Sequence, residues 1–171
     1  MSRSASRDVF RRITKLIATG SALPDVLKAI VLAVEAEDPA LICSIVLLDE
    51  TGARIALGAA PNLPDAFNQA IDGVPIGPTA GSCGTAMFHD RRIVVEDIQS
   101  DPLWADYRDI ATAAGLRSCW SQPLHAADGK VLGSFAIYQR RVARPTPDDI
   151  GFIEAAADLA AIAIERKRHE D

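Results

Sequence analysis

The chain has 171 residues, room for one domain rather than two. Hydrophobic residues make up 49% of it, but 29 are Ala and only 9 are aromatic, so the core must depend on Ile, Leu and Val. A net charge of -5 argues against nucleic acid as a bulk partner, no apolar run approaches the roughly 18 to 20 residues that span a bilayer, and three widely spaced Cys exclude a disulfide framework or a Cys-only zinc site.

The N-terminus sets Arg3, Arg7, Arg11, Arg12 and Lys15 against the single acid Asp8. Together with Ser2, Ser4 and Ser6 this is the composition of an organellar transit peptide. However, Val9, Ile13, Leu16 and Ile17 recur at helical spacing with the arginines opposite, which favours an amphipathic helix over about 6–19. Arg outnumbers Lys by 14 to 4, a bias that fits a GC-rich bacterial genome. A second helix starts at Pro24, has Asp25 in its first turn and carries the stripe Leu27, Ile30, Val31 and Val34. Asp38-Pro39 ends it. Ile42 to Leu48 is a mostly apolar strand interrupted by Ser44, so both of its faces must be dry. Thr51-Gly52 turns it into a hairpin partner over 54–59.

Residues 61–81 are broken by Pro61, Pro64, Gly73, Pro75, Gly77, Pro78 and Gly81, which predicts a loop holding one short helix, 65–71. A short helix over 82–88 and a short strand over 93–95 come next. After Asp101-Pro102 a helical stretch runs through Ala114 to a stop at Gly115. Two strands, 116–124 and 131–138, flank a turn at Asp128-Gly129. Thr146-Pro147-Asp148-Asp149 has the pattern of a capping box, opening a helix over about 148–168. This order predicts an α+β domain with a largely antiparallel sheet. The terminal helices cover one face, and the irregular middle is left to cover the other.

In order and spacing, the segments Gly81-Ser82-Cys83-Gly84-Thr85-Ala86, Val94-Val95-Glu96-Asp97-Ile98, Asp101-Pro102-Leu103-Trp104, Gly115-Leu116-Arg117-Ser118, Pro123-Leu124 and 129–135 resemble a GAF domain. The likeness covers about residues 8–166 and is strongest to the sensory GAF modules of bacterial signalling proteins. It implies one domain over 1–171 with a core at about 22–140, a sheet of five or six strands, and terminal helices that commonly form a dimer bundle. It also implies a small-molecule pocket under the irregular roof. Such modules often precede histidine kinases or cyclic-di-GMP enzymes, so an output domain or protein is an expected partner. Where the chain stops, it is either a stand-alone sensor or a module of something larger. The expected setting is cytoplasmic and reduced, with no nucleic acid or membrane partner.

Four chemistries compete. The first is a ligand pocket. The segment from Gly81 to Ala86, with Cys83, Gly84 and Thr85 as its candidate residues, offers small side chains and exposed amides at a helix start, and Asp97, Trp104, Tyr107 and Arg108 stand on the roof loops. Cys119, Ser121 and Phe135 on the later strands complete the candidate set. The alternative is that both roof aromatics simply plug a second core.

The second is redox catalysis by Cys83, whose thiol a helix start should make more acidic. Gly81-Ser82-Cys83-Gly84 resembles the motif of GAF-type free methionine sulfoxide reductases, but that family uses three cysteines here. Position 93 is Ile, and 101–108 contains no Cys. A small buried thiol is the favoured reading, and the chain is expected not to be an enzyme.

The third is a metal or tetrapyrrole site at His89, His125 or His169, none at ligand spacing from a Cys or carboxylate on its own element. The Cys-His pair of bilin-attaching domains and the Asn-Lys-Phe signature of cyclic-nucleotide-binding ones are absent, as are a phosphate loop and a serine elbow. No cofactor is assigned. The fourth is the last helix. Ile153, Ala157, Ala160 and Ile164 form its stripe, and Ile150, Ala161 and Ile162 widen it. Six Ala between 155 and 163 suggest close approach to a second subunit, a homodimer through the terminal helices. The alternatives to a ligand sensor are therefore a Cys83 sulfoxide reductase and a dimerisation module without ligand.

Overall fold

A computed structural model describes residues 3–170. Its elements are α1 (Arg3–Ala18), α2 (Leu23–Glu37), β1 (Ile42–Leu48), β2 (Ile55–Ala59), α3 (Asp65–Ile71) and α4 (Cys83–His89). They continue with β3 (Ile93–Val95), a 3-10 turn (Pro102–Trp104), α5 (Arg108–Ala113), β4 (Ser118–His125), β5 (Val131–Gln139) and α6 (Pro147–Glu170). The helical stretch expected after Asp101-Pro102 is thus two pieces. Asp101 accepts from the Leu103 amide at 3.0 Å and tightens the first turn, which carries the Trp104 ring into the core.

The five strands form one antiparallel sheet in the order β2-β1-β5-β4-β3. The hairpin β1–β2 is closed by the Asp49 carboxylate, which accepts from the Thr51 hydroxyl at 2.7 Å and the Ala53 amide at 3.2 Å. In the sheet's centre, Gly133 lets β5 approach β1 closely. A Cβ there would stand 2.2 Å from the Val46 carbonyl oxygen, so any side chain would push the strands apart.

Because both faces of the sheet are covered, its central strands carry two sets of side chains. Cys43 and Ile45 of β1, Trp120 and Leu124 of β4, and Phe135 and Ile137 of β5 join the helical layer. Val46, Cys119, Ala136 and Tyr138 join a second core under the roof. On the helical side, α2 packs on β1 and β2, α6 packs on β4 and β5, and α1 packs on α2 and α6. The stripe Val9, Ile13 and Ile17 of α1 is buried there while Arg7, Arg11 and Arg12 face solvent, as an amphipathic helix requires.

α6 opens with the expected capping box. The Thr146 amide donates to Asp149 at 2.8 Å, and the Asp149 amide donates to the Thr146 hydroxyl at 3.2 Å. Its small residues are not where a second subunit could use them. Ala156, Ala157, Ala160, Ala161 and Ala163 are all buried inside the protomer. Close packing against the sheet and neighbouring helices accounts for the small side chains. Ile162, expected on the buried stripe, is 54% exposed and lies with Glu154 and Asp158 on the outer face. Among the described residues no helix is long and apolar enough to cross a membrane.

This packing is testable by urea unfolding. Ala160→Leu is expected to cost about 1–3 kcal/mol by overpacking. Asp158→Ala on the outer face should stay within about 0.5 kcal/mol of the parent.

Candidate functional site

The roof is tied to the sheet by a short chain of hydrogen bonds. Trp104 Nε1 donates to Ser82 Oγ at 2.9 Å, and Ser82 Oγ donates to the Cys119 carbonyl of β4 at 3.3 Å. The Gly81 amide donates to Leu103 O at 2.7 Å, joining the α4 loop to the 3-10 turn. The Thr85 hydroxyl accepts from the Ala80 amide at 2.9 Å and donates to Gly81 O at 2.5 Å, which folds the loop over the start of α4. Gly84 is needed for that closeness, since a Cβ there would meet the Ala80 methyl at 2.8 Å.

Between this roof and the sheet is a chamber of about 20 Å³, room for about one water molecule. Val46, Ile55, Ile71 and Val74 form its aliphatic wall, and Trp104, Tyr107 and Tyr138 its aromatic one. Ser82, Cys83 and Gly84 close it at the α4 end. Tyr138 is wedged by two edge-on rings, with Phe67 at 5.7 Å and Trp104 at 6.3 Å between centroids. Beside this wall, a crevice of about 110 Å³ separates α3 from α5 at Phe67 and Ile110.

Under the chamber the floor is polar. The Cys83 thiol lies 3.2 Å from Ser121 Oγ, and the Cys119 thiol lies 3.8 Å from the same hydroxyl. Ser134 and Ser44 are buried on this side, near Cys83 and Tyr138 respectively. Burial pushes the Cys83 thiol up, partly offset by the hydroxyls of Ser121 and Ser134. Burial and then the neighbouring Cys83 push the Cys119 thiol higher. Burial likewise raises the Tyr138 phenol and, with Glu35 nearby, the Cys43 thiol. The acidic thiol expected of Cys83 at a helix start is therefore corrected: desolvation outweighs a helix of barely two turns.

The candidate residues separate accordingly. Cys83, Gly84, Trp104 and Tyr107 line the chamber, and Cys119 and Ser121 lie beneath Cys83. The Thr85 side chain is spent inside the loop. Asp97 turns away, accepting from the Gln99 amide at 3.0 Å, with Arg117 at 3.7 Å. Arg108 is a clasp, donating to Ile98 O at 3.1 Å and Asp101 O at 2.9 Å. Phe135 is on the opposite face of the sheet, in the helical core, because its neighbours Ser134 and Ala136 take the roof side. Sequence reasoning missed Tyr138 and Ser82. Strand alternation from Ala136 was the signal for Tyr138, and Ser82 stood inside the small-residue segment from Gly81 to Ala86.

The three thiols are free and buried. His89 is exposed beside the Phe88 ring, His125 pairs with Asp90, and His169 lies 3.8 Å from Glu165. Among the described residues, no three His, Cys, Asp or Glu side chains are grouped to hold a metal ion.

Two outcomes follow from this burial. Alkylation by iodoacetamide at pH 8 should be slow in the native protein and fast in denaturant, because folding keeps the thiols protonated and covered. The raised thiol and phenol values also fix the sign of the pH dependence. Their contribution to stability is complete below the ordinary thiol value and is lost as pH rises. Urea midpoints should therefore begin to fall as pH passes about 8.5, where unfolded thiols ionise.

Residues 20–165 match the GAF domain family. Over 160 residues the chain is 37% identical to the methyl sulfide methyltransferase-associated sensor of Methanosarcina acetivorans. That match takes in 94% of this chain but only 16% of the sensor's length. The fold is shared with the GAF domain of a phosphoenolpyruvate-protein phosphotransferase from Coxiella burnetii, with a TM-score of 0.77, 20% identity, and coverage of 99% of this chain and 98% of that one. It is also shared with the free methionine-R-sulfoxide reductase of Neisseria meningitidis, solved with its substrate, with a TM-score of 0.76, 19% identity, and coverage of 100% and 96%. A family match running from just before α2 into the last turns of α6, on a sheet roofed and floored as described, places this chain in the GAF domain family.

Proposed function

We propose that the domain is a sensory module that takes a small molecule into the chamber beneath Trp104 and Tyr107. The observation that carries this is the polar floor. A core built only for stability would fill that layer with aliphatic side chains, since each buried hydroxyl must be compensated. Here Ser44, Ser82, Ser121 and Ser134 are buried beside the chamber instead. The 37% identical relative is named as a sensor, which supports the same role.

The chamber holds about one water, so a ligand must lift the roof to enter. Tyr107 is half-buried, and α3 and α5 meet across an open crevice, so these are the parts that give. The signal has a short path outward. α4 ends at His89, and the next residue, Asp90, pairs with His125 at the end of β4; in the following hairpin the Ala127 amide donates to Glu165 of α6. A ligand shifts α6 only if it binds two arrangements of this path with different affinity. A homodimer and an output domain or protein would receive the shift. Ile162 on the outer face of α6 is the apolar residue available to such a contact.

Native mass spectrometry of freshly purified protein tests the reading. The expected result is an excess mass released on denaturation, with slower hydrogen exchange over residues 61–115 before release than after it. Protein without excess mass, and with identical exchange before and after mild denaturation and refolding, overturns it.

Two other readings each have an observation behind them. The near-filled chamber and a Trp104 only 2% exposed favour a dimerisation module without ligand. Light scattering showing dimers while the chamber stays closed to every small molecule would select it. The fold shared with sulfoxide reductases favours turnover at Cys83. With no second Cys at 93 or in 101–108, a coupled NADPH assay on free methionine sulfoxide should read no activity. Turnover that Cys83→Ser abolishes would reverse this assignment.

A further inference from the structure

We infer that the part of the ligand entering the chamber is uncharged and largely apolar; this rests on the chamber being the sensory site. The lining contains no Asp, Glu, Lys, Arg or His. Its walls are aliphatic side chains and three aromatic rings.

Most of the charged groups around it are committed elsewhere, and Asp106 beside Tyr107 would repel an anion. Arg108 holds two backbone carbonyls, the Asp101 carboxylate holds the Leu103 amide, and Asp97 holds the Gln99 amide. On the rim, Arg54 donates to Gly73 O at 2.8 Å, and Asp72 accepts from the Leu57 amide at 3.1 Å. None of these is free to meet an ion inside without undoing the loop it holds.

The polar floor does not substitute for a counter-charge. Ser82 donates to Cys119 O and accepts from Trp104, Ser134 donates to Gln122 O at 3.3 Å, and Cys83 and Ser121 occupy one another. What remains is spare lone pairs, weak thiol contacts and the amides at the start of the two-turn α4, enough to orient one neutral polar group. A carboxylate, phosphate or ammonium entering would lose its water and meet no opposite charge, the case in which burial of charge is most unfavourable. Zwitterionic amino acids and nucleotides are excluded on the same ground. Small neutral ring compounds and neutral sulfur compounds fit, because aromatic edges and thiols meet them without a desolvation penalty.

Matched pairs that differ only in charge test this on the full chain: indole against indole-3-carboxylate, and benzamide against benzoate. The readouts are the Trp104 Nε1 proton resonance, sensitive to its bond with Ser82, and the thermal midpoint. At about millimolar concentration the uncharged members should shift both, with the charged members weaker by at least about tenfold. Val74→Lys, at the half-buried rim, should bring the carboxylates to parity or better. Val74 need not change for the parent comparison, so a misfolded variant leaves that test intact. Equal or tighter binding of the charged members, with the Trp104 shift, overturns the inference while the sensory chamber stands. No shift from either member of either pair overturns both.

Discussion

The constraint on which everything else depends is that the sheet is covered on both faces. A strand in such a sheet cannot present water with its polar positions; each alternate side chain must suit one of two different cores. Toward the helices, β1, β4 and β5 give bulky apolar residues such as Ile45, Trp120 and Phe135. Toward the roof they give Val46, Cys119, Ser121, Ser134, Ala136 and Tyr138, a smaller and more polar set. The volume withheld on that side is what leaves a chamber at all. The helical side is packed for permanence, with Ala drawn inward on α6 so that helix and sheet meet closely.

The roof meets the sheet through α4 on β4 and β5 and along the β2 edge. One buried anchor is the path from Trp104 through Ser82 to the β4 carbonyl at Cys119. That anchor crosses both a buried ring and a buried hydroxyl, so breaking it exposes two polar groups together. Along the β2 edge the Ile55 amide donates to Val74 O, the Gly73 amide to Ile55 O and the Leu57 amide to Asp72, while Arg108, Asp97, Asp101 and Thr85 stitch the roof to itself.

Much of the fold was legible because it rests on local chemistry. The limits of β1, α3 and β3 follow from apolar runs cut by Pro, Gly and Asp, and Thr146 and Asp149 announce α6 by a spacing that only a capping box needs. The site was less legible, for physical reasons. Asp97 and Arg108 stand on roof loops and look like ligand groups, but their partners are backbone atoms several residues away. Sequence places a side chain on a loop and is silent about which amide or carbonyl it finds. Phe135 and Tyr138 differ by odd and even position on one strand and so take opposite faces; which parity meets the roof is fixed only by how the two layers pack on the sheet. The Ala-rich face of α6 states that something approaches closely; only the packing of α1 and α2 around it shows that the neighbours come from the same chain.

The two tryptophans lie on opposite sides of the sheet. Trp104 sits under the roof bonded to Ser82, and Trp120 sits among the helices with its Nε1 3.3 Å from the Ala143 carbonyl. Indole emission is therefore two separable signals, one for each layer. With either ring replaced by Phe, the remaining emission reports whether the cover loosens while the helical layer holds, or whether the domain gives way as one. The distribution of just two large rings thus makes the protein its own probe of how independent its two halves are.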